Sequence, residues 1–304
     1  MRGAFEKGTL LLSLRKARFR PLDALIILAC LALVAFVAYR VIYRLEYRAN
    51  WAAIPQYLFR RDADTGRLVP NYLIEGLVTT LRLSVWATLL ALLVGAVVAL
   101  LRTSRSLFLR LVGSSYVEIV RNLPPLVLIF IFYFFAVDQI MPLLGVEAFV
   151  ASRSPGALRV IAFFAADRSL LTQFVSGVIT LAFFEGAYFA EILRAGIESI
   201  ERGQREAAYS LGLSPLDEMR FVVMPQVIRR VLPALANEFV NTVKYSSIAS
   251  IVSIQELTFM GRQVVVATRA IFETWITVSL MYMTLTLTLS LLTGHLESRL
   301  RRRG

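Results

Sequence analysis

Residues 194–230 read RAGIESIERGQREAAYSLGLSPLDEMRFVVMPQVIRR. This is the longest charged stretch between two apolar runs, and its pattern is that of a helical hairpin. Helix-forming residues run from Ile197 to Leu211 and stop at Gly212, a residue that adopts the left-handed conformation ending many helices. Ser214-Pro215-Leu216-Asp217 follows. Ser is a good N-cap, Pro suits the first helical position, and Asp at the third completes a capping-box-like pattern. A second short helix is predicted to run toward Met224-Pro225. The small residues Ala207 and Ala208 let another surface approach closely, which favours docking of a protein over a merely solvated hairpin. A DNA-reading helix-turn-helix has the same outline, but this hairpin is tethered at both ends to apolar runs.

Those runs dominate the chain. Of 304 residues, 57% are hydrophobic and 18% charged, with a mean hydropathy of +0.66. An ordinary soluble domain has about 25% charged residues, and one soluble core of this size cannot hide so much apolar surface. Disordered proteins, nucleic-acid-binding modules and disulfide-framed secreted domains are excluded. A single Cys30 and a single His295 leave no disulfide, Cys/His zinc cluster or Cys-His nucleophile pair. Cys30 lies in an apolar run and is expected to pack as a small hydrophobe.

A spanning helix needs about 20 mainly apolar residues. Residues 24–39, 83–101, 122–137, 169–184 and 274–296 contain no Asp, Glu, Lys or Arg. A sixth segment, about 231–255, carries Glu238 and Lys244 and many Asn, Ser and Thr, so it belongs inside a bundle or against a cavity. The net charge of +12 falls at the ends of these runs and reads as membrane topology. Six spans with basic tails (Arg2 to Arg20, Arg299 to Arg303) place both termini in the cytoplasm. Arg102, Arg105 and Arg110, and the hairpin's Arg202, Arg205, Arg220, Arg229 and Arg230, agree. The arginines between Arg40 and Arg67 run against the rule. The first span reads as an uncleaved anchor, since no small-x-small site follows it. Residues 41–71 then form an outer connection with a turn at Asp64-Thr65-Gly66 and interface anchors at Trp51 and Tyr57, and 138–168 form a second outer loop.

Several motifs resemble a known family. Glu206-Ala207-Ala208, Gly212 four residues later, and Met224-Pro225 resemble the EAA loop of bacterial ABC importer permeases. Gly76, Thr80-Leu81, Gly95 and Arg102 look like the first core helix of the polar amino acid permeases. Tyr116 to Arg121 with Pro124, Ala190-Glu191, Arg194 with Gly196, Arg202-Gly203-Gln204, Met224-Pro225-Gln226, Lys244 with Ser246-Ser247, and Gln255-Glu256-Leu257 extend the likeness over roughly 72–298. Two positions depart from it. Pro125 stands where Leu is usual, and Glu185 is a carboxylate where a small or hydroxyl residue is expected.

The resemblance implies an all-α polytopic membrane bundle of the type I ABC importer fold, five core helices plus an added N-terminal span. Its parts would be a basic tail and first helix (1–45), an outer connection (46–71), the transmembrane domain (72–298, with the EAA loop at about 197–225) and a basic tail (299–304). It implies a permease subunit of an ATP-driven importer of polar amino acids in the bacterial inner membrane. Two ABC ATPase subunits would seat on the hairpin at Glu206, Ala207, Ala208, Gly212 and Pro225. A second permease, identical or paralogous, and an extracytoplasmic binding protein complete the assembly. No cofactor would be bound by this chain, ATP and Mg being used by the ATPase partner, and no nucleic acid is involved. Glu185, Lys244, Ser246 and Ser247 are candidates for the translocation path.

The residues alone leave rivals. No G-x-x-x-x-G-K-[ST] phosphate loop, G-x-S-x-G elbow or H-E-x-x-H pair is present, which argues against an ATPase or hydrolase. A permease for another small solute, or a self-contained carrier or channel, remains as an alternative, though no matched pair of broken helices appears. Lys244 is expected to snorkel, to pair with Glu191 or Glu238, or to meet a substrate carboxylate. Glu118 and Arg121, three apart, are expected to pair locally. Glu185 is expected either to bond Lys244, Tyr188 or a nearby hydroxyl, or to face the cavity. The Thr/Leu alternation at 284–289 reads as helix packing.

Overall fold

The computed structural model describes residues 21–40, 47 and 49–301, and the chain divides into two units, 1–50 and 51–304. In the first unit α1 (Pro21–Tyr39) is a 19-residue helix whose first turn holds Asp23. Arg40 lies over the Phe36 ring, 5.8 Å from its centroid. Cys30 is exposed on this helix and does not pack inward, a departure from expectation: the residues of α1 whose burial is described are all exposed. The basic tail expected before it lies outside the described residues, as do most of residues 41–48.

The second unit opens with α2 (Ile54–Leu58) and an antiparallel hairpin of β1 (Phe59–Arg61) and β2 (Leu68–Pro70), with Arg60 opposite Val69. Asp62 fixes its turn, accepting hydrogen bonds from the Thr65 N–H (2.8 Å), the Asp64 N–H (3.1 Å) and the Thr65 hydroxyl (2.9 Å). These bonds, the Thr65 N–H first, hold the Asp62 carboxyl below the usual carboxylate range. Gly66 closes the turn at φ +65°. The turn is where the sequence put it. The strands beside it were not anticipated, because Arg60, Arg61 and Arg67 mask any alternation.

Then come α3 (Tyr72–Arg102), α4 (Leu107–Asn122), α5 (Pro125–Ile131), a π-helical turn at Phe132–Val137, α6 (Asp138–Leu144), α7 (Val146–Ala151) and α8 (Pro155–Phe164). The long helix α9 (Leu171–Glu198) leads to α10 (Arg202–Ser210) and the one-turn α11 (Pro215–Asp217). A second π-helical turn, Glu218–Val223, joins α11 to α12 (Met224–Tyr245); a 3-10 turn at Ser246–Val252, α13 (Leu257–Thr268) and α14 (Ile271–Arg301) complete the chain.

Among the described residues four helical stretches are long and apolar enough to cross a membrane: Tyr72–Arg102, Pro125–Ala151, Leu171–Glu198 and Ile271–His295. Four expectations need correction. The third span does not end at 137 but continues through the π turn to Ala151. The supposed outer loop at 138–168 holds α6 to α8, because only Gly145 and the Ser152–Ser154 break interrupt its helical run. The segment at 231–255 is α-helical only to Tyr245 and then tightens into 3-10 geometry. The helix expected from Ile197 to Leu211 is broken at residues 199–201, where Glu201 takes extended backbone at ψ 137°.

The core lies where α3 crosses α9. Small residues permit it, the device membrane helices use in place of a hydrophobic driving force. A Cβ on Gly95 would stand 2.6 Å from the Phe189 Cβ and 2.9 Å from the Ala190 N. Ala91 packs with Ala182 and Phe189, while Leu83, Ala87, Phe184 and Ala187 continue the contact. The Trp86 indole N–H donates to the Phe164 carbonyl at 2.8 Å, anchoring the end of α8 on α3. By contrast α14 exposes Leu280, Met283, Leu287, Leu291 and Leu292. Its threonines turn back onto the helix, Thr284 to Leu280 O and Thr288 to Thr284 O.

Candidate functional site

The hairpin between α9 and α12 is closed by a Schellman stop. The Gly212 N–H donates to the Tyr209 carbonyl (2.9 Å) and the Leu213 N–H to the Ala208 carbonyl (3.2 Å), with Gly212 at φ +78°. That bond pair is what a left-handed residue after a helix permits. Ser214 then caps α11: its Oγ accepts from the Asp217 N–H at 3.2 Å and donates to Asp217 Oδ2 at 2.6 Å. The second helix is not separate from the next one. It passes through the π turn at 218–223 straight into α12.

Polar clamps fix the hairpin to the bundle. Gln226 Nε2 donates to Gln204 Oε1 (2.7 Å) and to the Val222 carbonyl (2.8 Å). Arg230 reaches back to Ser199, donating to its carbonyl at 2.6 Å and its Oγ at 3.0 Å. Arg205 donates to the Ile197 carbonyl at 3.0 Å. Beneath them Ile197, Ile200, Val223, Val227 and Val231 form an apolar cluster. Gly196 lets the helices close, since a Cβ there would meet the Val227 side chain at 3.1 Å. Of the candidate coupling residues Ala208 is buried, while Glu206, Ala207, Gly212 and Pro225 are exposed. Tyr209, Leu211 and Leu216 project from the tip, each about four-fifths exposed (79%, 82% and 82%).

Glu191 stands where α9 meets α3 and α4. It binds Arg102 and Arg194, and Arg121 approaches it at 3.8 Å; Arg194 also holds Glu198. One sequence expectation fails here, and one of the alternatives for Lys244 is not met. Glu118 and Arg121 form no ion pair among the described residues, because Arg121 turns to Glu191 and over the Tyr188 ring, 5.7 Å from its centroid. Lys244 does not pair with Glu191 or Glu238. It is exposed, and its Nζ donates to Asn241 Oδ1 at 3.4 Å.

Glu185 is wholly buried on α9, and neither carboxylate oxygen has a hydrogen-bond partner within bonding geometry. Glu238 and Thr242 of α12 are the polar side chains facing it. The expected bond to Lys244 is not made. Aromatic rings flank the position: Phe184 packs on Tyr188 (5.2 Å between centroids) and on Tyr245 (5.1 Å). Ser246 and Ser247 donate to the Val243 and Lys244 carbonyls at 2.8 and 2.7 Å. The structure therefore brings Glu238 to Glu185 and leaves the other candidates engaged locally. The carboxylate facing a carboxylate escaped the sequence reading, although the two lie on apolar runs joined by the hairpin. Equal spacing from the hairpin was the available signal.

Residues 91–302 match the family described as binding-protein-dependent transport system inner membrane component. The chain belongs to this family. It is 34% identical over 226 residues to the probable glutamine ABC transporter permease protein GlnM of Bacillus subtilis (strain 168), covering 74% of this chain and 92% of that one. It is 30% identical over 256 residues to the glutamine transport system permease protein GlnP of Escherichia coli (strain K12), covering 84% and 98%. A solved amino acid ABC transporter with histidines superposes with TM-score 0.59 at 34% identity over 75% of this chain and 94% of that chain. A methionine ABC transporter shares the fold, with TM-score 0.56 at 17% identity over 75% of this chain and 96% of that one. The protein is thus a multi-pass inner-membrane permease subunit with the type I importer fold, and the relatives it matches are permeases.

Proposed function

We propose that this permease forms the pathway for polar amino acids in an ATP-driven importer, paired with a second copy or a paralogue. Two ATPase subunits seat on the hairpins and hydrolyse Mg-ATP; a binding protein delivers the solute from outside. Both termini face the cytoplasm. The chain itself does no covalent chemistry and stabilises two conformations differently. The carrying observation is the hairpin tip. Tyr209, Leu211 and Leu216 expose apolar surface on an element bonded to both α9 and α12, so a partner seated there moves two core helices at once. The amino acid assignment draws on the glutamine permeases it resembles.

Glu185 is the translocation-path residue in this reading, with Lys244, Ser246 and Ser247 beside the same route. A buried acid in a membrane helix marks a functional position by default, and here its carboxylate oxygens have no bonded partner among the described residues. It meets the α-ammonium or a cationic side chain of the solute. Uptake into proteoliposomes by the full complex, with a panel of competing amino acids, tests both statements. Amino acid uptake that needs ATP and co-purifying ATPase is expected. Glu185→Gln is expected to insert normally and to change the ranking of acidic, neutral and basic competitors. An unchanged ranking at normal yield removes Glu185 from the path; uptake without an ATPase partner refutes the importer reading.

A further inference from the structure

A cavity of about 500 Å³ opens among the β1–β2 hairpin, the first turns of α3, the α8–α9 connection and the segment before α13. It lies at the Leu171 end of the 28-residue helix α9, whereas the coupling hairpin is at the Glu198 end, about 40 Å along a helix. The volume is that of a small-molecule site. Glu75, Arg82, Asp167, Gln173 and Gln255 are among its lining residues. Glu75 and Arg82 share one face of α3, seven residues apart, with Arg82 about 15 Å below the start of the helix at Tyr72.

The charges around this cavity are not spent on each other. Among the described residues Arg82, Glu75 and Asp167 form no ion pair; the Arg82 guanidinium lies over the Phe163 ring, 6.0 Å from its centroid. Asp62, also in the lining, is already taken by its turn. An arginine inside a spanning helix without an acidic partner is costly and marks a functional position. Its planar fork matches a carboxylate. Acids of opposite sign around the same space ask for a ligand that carries both charges.

We propose that this cavity is an outer receiving site for a free zwitterionic amino acid, in which Arg82 takes the α-carboxylate and Glu75 and Asp167 take the α-ammonium. The proposal rests on the amino acid reading above and adds a second station, separate from Glu185. Gln173 and Gln255 supply neutral donors and acceptors for the remainder of the ligand.

The test is local. In the full complex in proteoliposomes, with Cys30→Ala, a reporter cysteine at Ala162 in the cavity lining is alkylated by an impermeant maleimide. The transported amino acid and its primary amide, which lacks the carboxylate, are compared as protectants. The acid is expected to protect at a concentration at least ten-fold below the amide. Arg82→Gln is expected to raise the half-protecting concentration of the acid at least ten-fold while leaving the amide unchanged, with Arg82→Lys between. A matching change is expected for Glu75→Gln with the hydroxy-acid analogue that lacks the ammonium. An unchanged acid-over-amide preference in Arg82→Gln, or no protection in the parent, overturns the site even while uptake proceeds. Altered binding-protein affinity with unchanged protection makes the cavity a protein contact and also overturns it. Absence of any amino acid uptake by the parent complex defeats the transport reading, and this site falls with it.

Discussion

Gly212 offers the sharpest test of the coupling hairpin, because its cost of substitution is purely conformational. It sits at φ +78°, and a Cβ built there meets nothing within 4 Å. No clash therefore contributes, and the whole penalty is that of an L-residue held left-handed, ~1–2 kcal/mol. The two bonds that depend on this geometry run from Gly212 to Tyr209 and from Leu213 to Ala208. A shift of 1–2 kcal/mol changes the population of the closed turn roughly 5–30-fold. Asn tolerates the left-handed region, Ala does so less, and Val least. Coupling, measured as solute taken up per ATP hydrolysed in proteoliposomes, is expected to fall in the order Gly, Asn, Ala, Val. Insertion and yield stay level, since the turn is exposed and outside the packed core. Equal coupling across the series, or an Asn variant as impaired as Val, would show that the turn's backbone geometry is not what coupling requires.

Three further outcomes follow from the packing. Gly95→Ala pushes a methyl into Phe189 and the Ala190 backbone and is expected to cost ~1–3 kcal/mol in overpacking, seen as a lower Tm in detergent. The clashing atoms are the Phe189 Cβ and backbone, which Phe189→Ala keeps, so adding that change restores nothing; recovery in the double variant contradicts this. Arg102→Ala strips Glu191 of one of its partners and is expected to cost ~1.5–3 kcal/mol, as for hydrogen bonds to charged groups, with Arg121→Ala costing less because it stands at 3.8 Å and is more exposed. Equal losses for the two would be against the geometry. Cysteines at Gly66 and Gly212 in a Cys30→Ala background should react with an impermeant reagent from opposite faces of the membrane; reaction from one face only refutes the six-span topology.

Much of the fold was readable because lipid imposes simple rules. Charge-free runs located the helices now seen as α1, α3, α5, α9 and α14, and Gly212 with Ser214-Pro215 announced the hairpin's turn. What escaped reading depends on tertiary partners. Nothing in the local sequence says that Arg121 leaves Glu118 for Glu191, since both lie within reach on paper and the choice is made by α9. Residues 138–168 read as a loop because their helices are too short and interrupted for periodicity to show. The break at 199–201 was hidden by good helix formers and is held by Arg230 bonding Ser199, 31 residues away. At the candidate path the acid itself was visible, but its facing partner was not: Lys244 was the electrostatically sensible choice, and the structure supplies Glu238 instead.

That facing pair joins the hairpin to the bundle interior. Glu185 lies fourteen residues before Ser199 on α9, and Glu238 fourteen after Met224 on α12, each about 21 Å of helix from the hairpin. Arg230 ties the two helices at Ser199, and Gln204 ties α10 to Gln226. A displacement of the tip therefore reaches Glu238 through the π turn and α12, and reaches Glu185 across the break at 199–201, where Arg230 bonds Ser199 to α12. Two facing carboxyls with no cation between them among the described residues cannot both ionise without cost, because like charges repel most strongly where water is excluded. In the proposed path a cationic group arriving between them lifts that cost, and solute binding would then favour the arrangement in which α9 and α12 lie close. Hairpin movement and solute charge then act on the same pair of helices from opposite ends, which is the reciprocity that coupling of two sites requires.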